Sequence, residues 1–128
     1  MTDDVANALA TDQVIDITTT GRTSGEPRRI EIWFHRVDGH YYITGSPGRA
    51  RSWYANLVAH PTFTFHLKQS ATADLAATAR PITEPSERES VFARLLPPLG
   101  DLARKPGMEP EVWIADSPLV EVVFTSEG

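Results

Sequence analysis

Apolar residues in this chain fall mostly on alternate positions, a period of two that predicts strands before helices. Val14-Ile15-Asp16-Ile17-Thr18-Thr19 is rich in β-branched residues, which suit a pleated backbone, and reads as the first strand. Arg28 to Arg36 reads as the second, with Ile30, Ile32 and Phe34 facing inward and Glu31, Trp33 and His35 facing out. Asp38-Gly39 marks a tight turn, after which His40 to Thr44 returns as the partner strand. In residues 62–68, Phe63, Phe65 and Leu67 point inward and the others outward. Thr72 to Arg80 is a weaker strand, and Pro118 to Thr125 closes the chain.

Helical spacing interrupts this pattern in a few places. Residues 3–11 predict a short helix with aspartates near its positive end. From about Arg51 to Ala59, Trp53 and Leu57, with Tyr54 and Val58, fall on neighbouring turns until Pro61 ends the run. Ser86 and Glu89 stand at capping-box spacing before the stripe Val91, Phe92, Leu95 and Leu96, and Pro97-Pro98 is expected to stop that helix. Residues 99–108 are ambiguous, with a short helix around Asp101 to Arg104 as one reading. About six strands joined by short turns, with helices over the ends, predict a mainly β fold: a small antiparallel barrel with capping helices. Such a barrel has no wide lumen, so a ligand belongs on its outer face or at a subunit seam.

The length of 128 residues fits one domain, 1–128, with a single core. The chain has no cysteine, which excludes disulfides, thiolate metal sites and cysteine nucleophiles. The acidic start, with no long apolar run after it, predicts no signal peptide, no integral membrane segment and a cytoplasmic protein. A net charge of −5 argues against nucleic acid as a partner. Its distribution is uneven. Arg22, Arg28, Arg29, Arg36, Arg49 and Arg51 stand against Glu26, Glu31 and Asp38 in residues 21–51, a local balance of +3 that leaves −8 for the rest. A cationic segment on an acidic protein, built only of arginine, favours a small anion.

That segment begins with the stretch around which the chain is organised, Thr20 to Arg29. Gly21 and Gly25 allow a sharp turn whose N–H groups can gather round an anion. Thr23 and Ser24 add hydroxyl donors, and Arg22 and Arg28 place cationic forks on either side. The plain alternative is a glycine-rich hairpin with solvated arginines. A second loop, Gly45 to Ala50, leads into the Trp53 helix, and its Ser46, Gly48, Arg49 and Arg51 surround a helix N-terminus suited to an anion. The four histidines match no metal-ligand spacing, and no Gly-x-Ser-x-Gly elbow is present. Neither a metal site nor a hydrolase is expected, and no catalytic residue is assigned.

Gly21-Arg22-Thr23-Ser24-Gly25-x-x-Arg28, then Ile32-Trp33-Phe34, Ser46-x-Gly48 and Trp53-Tyr54-x-Asn56-Leu57-x-x-x-Pro61 together resemble the deazaflavin-dependent nitroreductase family. The resemblance implies a split β-barrel, of the type that binds FMN in pyridoxamine-phosphate-oxidase-like proteins, with coenzyme F420 as cofactor and FMN as the alternative. It implies hydride transfer from the reduced deazaflavin to a small hydrophobic acceptor, such as a nitro compound, quinone or enone. Cofactor contacts would then come from Arg22, Thr23, Ser24, Gly25 and Arg28, with Ser46, Gly48, Arg51, Trp53 and Asn56 flanking. The chain departs from the family pattern at Thr23, Ile30-Glu31 and Pro47, and has no tyrosine between Leu96 and Trp113. These departures imply a side branch of the family. Related barrels include dimers and monomers, which leaves a homodimer open. The competing expectation is a non-catalytic barrel whose Trp33, Tyr54 and Trp113 line an apolar groove for a lipid.

Overall fold

The computed structural model describes residues 2–47, 51–99 and 109–125, so Gly48, Arg49 and the expected helix at Asp101 to Arg104 lie outside the described residues. Helix α1 (Asp3–Thr11) is capped by Thr2, whose hydroxyl accepts the Val5 N–H at 3.3 Å. Asp3 and Asp4 occupy its first turn, where the helix dipole favours negative charge. Strand β1 (Val14–Thr20) follows with strict alternation: Ile15, Ile17 and Thr19 are buried.

Seven antiparallel strands form one sheet: β1, β2 (Pro27–Trp33), β3 (His35–Val37), β4 (His40–Thr44), β5 (Thr62–Leu67), β6 (Ala73–Pro81) and β7 (Leu119–Phe124). Their order is β2-β1-β5-β6-β7-β4-β3. β2 and β3 therefore stand at opposite ends of the sheet, yet only Phe34 separates them in sequence. Laid flat, the end strands would be about 29 Å apart, whereas one residue spans about 3.5 Å. The sheet must curl until its ends meet. Phe34 fills the join: its N–H donates to the Gln13 carbonyl at 2.9 Å, and its ring meets Phe65 edge-on at 5.1 Å.

Two cores result. The first lies inside the curl, where Ile15, Ile17, Phe34, Ile43, Phe65 and Leu67 pack with Leu9 of α1 and Leu57 of α2 (Ser52–Ala59). The second gathers Tyr42, Ile82, Phe92, Leu95, Leu96 and Leu119 around Trp113, between the sheet, α3 (Pro85–Leu99) and α4 (Pro110–Asp116). No helix among the described residues is long and apolar enough to cross a membrane.

The mainly β, curled and helix-capped architecture agrees with the sequence pattern, and the differences have local causes. The expected second strand is two strands broken at Phe34, because the chain passes there from one sheet end to the other. Ile30 is not inward-packed but 37% exposed, since β2 is an end strand whose concave face opens onto a groove. Val58 points outward and is also exposed. His66 is buried although its parity faces out, held between Thr18 and Asp74. Glu84, not Ser86, caps α3: its carboxylate accepts the Glu87 N–H at 2.8 Å and the Ser86 hydroxyl at 2.5 Å. The Ser86 bond first, then the Glu87 N–H, holds the Glu84 carboxyl below its ordinary pKa. α3 also runs through Pro97 and Pro98 to Leu99, with both prolines in its last turn, where the donors they lack would end the helix ladder. The hydrophobic pattern does not predict α4.

Candidate functional site

The turn between β1 and β2 is closed by its own backbone. Gly21 N–H donates to the Glu26 carbonyl at 2.8 Å, and Gly25 N–H donates to the Gly21 carbonyl at 2.9 Å. Gly25 has φ +72°, the left-handed conformation that glycine adopts without strain. Ser24 Oγ accepts the Glu26 N–H at 3.1 Å. A Cβ at Gly21 would lie 2.4 Å from Ser24 Oγ, so a larger residue there would displace the Ser24 side chain. Gly25 shapes the turn rather than offering a free donor, because its N–H is engaged within it.

Helix α2 approaches this turn side-on. Asn56, 4% exposed, accepts the Arg22 N–H on Oδ1 at 3.0 Å and donates from Nδ2 to Thr19 Oγ1 at 3.1 Å. Arg51, at the N-cap of α2, makes no side-chain hydrogen bond to its first turn. Between turn and helix lies a groove of about 340 Å³, lined by Thr19, Gly21, Arg22, Thr23, Ser24, Arg28, Ile30, Ser52, Trp53 and Asn56. That volume falls in the range of small-molecule sites.

The electrostatics of the groove rest on which cations already have protein partners. Arg29 is paired with Asp16 at 3.0 Å, and Lys68 bridges Asp16 and Glu31 at 2.8 and 2.7 Å. The Lys68 hydrogen bond first, then Arg29, holds the Asp16 carboxyl below its ordinary pKa despite some burial. Arg80 joins Glu87 and Glu121, Arg94 pairs with Asp38, and Arg36 donates to the Leu9 and Asp12 carbonyls. Arg88 donates to four carbonyls. Arg51 folds onto the second loop, donating to the Ser46 carbonyl at 3.0 Å; a Cβ at Gly45 would lie 3.0 Å from its Nε. Among the described arginines and lysines, only Arg22 and Arg28 have no protein acceptor, and both line the groove.

The sequence-based site residues thus separate into groups. Arg22, Thr23, Ser24, Arg28, Trp53 and Asn56 come together in the groove. Gly25 lies in the turn outside its lining, and Ser46 and Arg51 bond to each other instead of joining it. Gly48 lies outside the described residues. Sequence reasoning misses Thr19, Ile30 and Ser52, although parity with Ile15 and Ile17 puts Thr19 on the concave face, and parity with Arg28 puts Ile30 beside it. Trp33, Tyr54 and Trp113 do not form a shared groove: Trp113 is buried against Phe92, Tyr54 packs edge-on to Trp53, and Trp33 is exposed. His35 lines a separate cavity of about 110 Å³, where burial first, and Arg36 second, lowers its pKa.

Among the described residues, the lining contains no Asp, Glu, His or Lys. Two free guanidinium groups, several hydroxyls and the apolar walls of Ile30 and Trp53 suit an anion attached to a flat apolar group. The arrangement can bind and orient such a molecule, but it holds no acid–base pair. A bound cofactor could supply the reactive centre that these side chains lack.

Solved structures of the same fold are diverse. One described as a domain-swapped dimer is 24% identical, covers 87% of this chain and 80% of its own, and superposes with a TM-score of 0.60. An F420-H2 dependent reductase (FDR-A) is also 24% identical, over 87% of this chain and 94% of its own, with a TM-score of 0.58. A protein related to general stress protein 26, of the pyridoxinephosphate oxidase family from Clostridium acetobutylicum, is 14% identical over 96% of this chain and 81% of its own, with a TM-score of 0.59. At these identities the likeness establishes the split-barrel fold. The family itself follows from the sequence match over residues 2–98, most of the barrel and all of the groove: the chain belongs to the F420H(2)-dependent quinone reductase family, F420-using oxidoreductases.

Proposed function

We propose that the groove holds the anionic side chain of F420 against Arg22 and Arg28, with Thr23, Ser24 and Ser52 as hydroxyl donors, and that the acceptor is a small hydrophobic quinone, nitro compound or enone. One observation carries the site assignment: among the described residues, the two arginines without protein acceptors line the same groove. Their forks suit phosphate and carboxylate oxygens. When bound, reduced F420 supplies a hydride. The chain binds and orients, with Ile30 and Trp53 offering an apolar wall that keeps water from one side of a flat ring. FMN, which also ends in phosphate, fits the same donors less specifically.

The continuous sheet supports reading residues 1–128 as one domain, and the net charge of −5 supports a small-molecule partner rather than nucleic acid. A homodimer is supported by the exposure of Trp33 on end strand β2, on the face away from the groove, and sedimentation velocity tests it. The function is tested by titrating the purified protein with oxidised F420 and then following reduced F420 with a naphthoquinone. Quenched cofactor fluorescence and quinone-dependent oxidation are expected. Unchanged fluorescence at micromolar protein would overturn the F420 site, and uptake of FMN instead would reassign it.

A further inference from the structure

We propose that Thr19 and Asn56 are positioning residues that fix the main chain at Arg22, so that the turn meets its anion already ordered. This rests in part on the reading of the groove as a cofactor site. The other hydrogen bonds of the turn run within it, from Gly21 to Glu26, Gly25 to Gly21 and Glu26 to Ser24. They set its shape but not its place on the barrel. The Arg22–Asn56 bond reaches outside, to α2.

The orientation of the Asn56 amide is unambiguous. A backbone N–H can only donate, so the oxygen must face Arg22 and the nitrogen must face Thr19. Thr19 Oγ1 therefore acts as an acceptor and selects one amide rotamer. Both residues are almost fully buried, at 2% for Thr19 and 4% for Asn56, so water is a poor substitute for either bond. Asn56 lies one turn along from Ser52 and Trp53. One side chain thus ties together three walls of the groove: the end of β1, the arginine-bearing turn and the helix that presents Trp53. An exposed turn held this way loses less freedom when it binds, and affinity rises accordingly.

The test uses Thr19→Val, which keeps the shape and removes the acceptor, with Thr19→Ser as the conservative rescue and Asn56→Ala as the full deletion. Two quantities are read, hydrogen exchange at the Arg22 amide and the F420 dissociation constant from fluorescence. Thr19→Val should speed Arg22 exchange and weaken F420 binding about tenfold each, with Tm within about 3 °C of wild type. Thr19→Ser should restore both, and Asn56→Ala should exceed Thr19→Val in both. Unchanged Arg22 exchange in Thr19→Val, or equal losses in Thr19→Val and Thr19→Ser, would overturn the proposal. If the wild-type protein takes up no F420, the functional reading fails separately. The clamp is then judged by Arg22 exchange and by the inorganic phosphate shifts of the Thr23 and Ser24 amides, which Thr19→Val should weaken; unaltered exchange and phosphate response would overturn it.

Discussion

Arg88 Nη1 donates to the carbonyl of Ile82 across 2.8 Å, in a site where the whole arginine is only 9% exposed. Three more carbonyls complete its shell: Ile114 at 2.6 Å, Trp113 at 3.3 Å and Ser117 at 2.5 Å. The guanidinium also lies 5.5 Å from the centre of the Phe92 ring. Helix α4, seven residues long, is thereby joined to α3 through its own C-terminal carbonyls. Arg88→Met should destabilise the protein by about 3–5 kcal/mol, because several buried carbonyls lose their donor at once. Arg88→Lys should recover only part of the loss, since an ammonium lacks the planar fork. Urea denaturation of the three proteins measures both effects.

This joint also explains what the sequence conceals. The strand at Val14, the Asp38-Gly39 turn and the Trp53-Leu57 helix are specified by neighbours in the chain, and all three form as their patterns predict. α4 carries a proline near its start, a usable signal, but buries only Trp113 among its described residues and depends on an arginine more than twenty residues away. His66 is similar: its parity reads as outward, and only cross-strand partners at Thr18 and Asp74 account for its burial. At the site, the arginines and the glycine turn are legible because composition alone marks them. Asn56 is legible only as a resemblance, and its two hydrogen bonds, to Arg22 and Thr19, follow from how α2 packs on β1. Arg51 reads as part of the site but lies outside the groove lining, because its partner in space, the Ser46 carbonyl, depends on how the second loop folds back.

His35 gives the barrel a pH dependence of definite sign. Burial, followed by the Arg36 charge, lowers its pKa in the folded state below the ordinary 6.5. The unfolded chain therefore binds the proton more readily, and stability rises with pH across the interval between the two values. This contribution is complete above about pH 6.5 and is lost as pH falls through the folded-state pKa. The paired carboxyls of Asp16, Glu87 and Glu121 are all lowered, so their losses begin nearer pH 4 and remain separable. Thermal melts from pH 7.5 to 5 should show a falling Tm for the wild type and a flatter profile for His35→Asn.

The two glycines of the first turn are needed for different reasons, and substitution should distinguish them. A methyl at Gly21 collides with Ser24 Oγ at 2.4 Å and meets the Glu26 carbonyl at 3.3 Å. The Ser24 side chain can swing away, but it then releases the Glu26 N–H. A methyl at Gly25 would stand in open space, and only the φ of +72° opposes alanine there. Gly25→Ala should therefore cost about 1–2 kcal/mol of stability through backbone strain. Gly21→Ala should cost less than that in stability and weaken F420 about tenfold by distorting the turn. Paired denaturation and fluorescence titrations resolve the two patterns.

Arg22, Arg28 and Arg29 supply the most direct comparison of function with charge alone. Arg28 and Arg29 are adjacent on β2 and so face opposite sides of the sheet. Arg28 lines the groove without a protein acceptor, whereas Arg29 is held by Asp16 on the other face. Any general loss of positive charge would affect the two variants alike. If a ligand anion is gripped in the groove, Arg22→Gln and Arg28→Gln should each weaken F420 by about tenfold or more, the scale of one charge-assisted contact. Arg29→Gln should change affinity by less than about twofold, because its charge is already paired and screened over roughly 10 Å at 0.1 M salt. Wild-type affinity should also fall as salt rises, with a shallower slope in the Arg22 and Arg28 variants and an unchanged one in Arg29→Gln. Equal effects at positions 28 and 29 would mean that long-range attraction, not contact in the groove, draws the cofactor in.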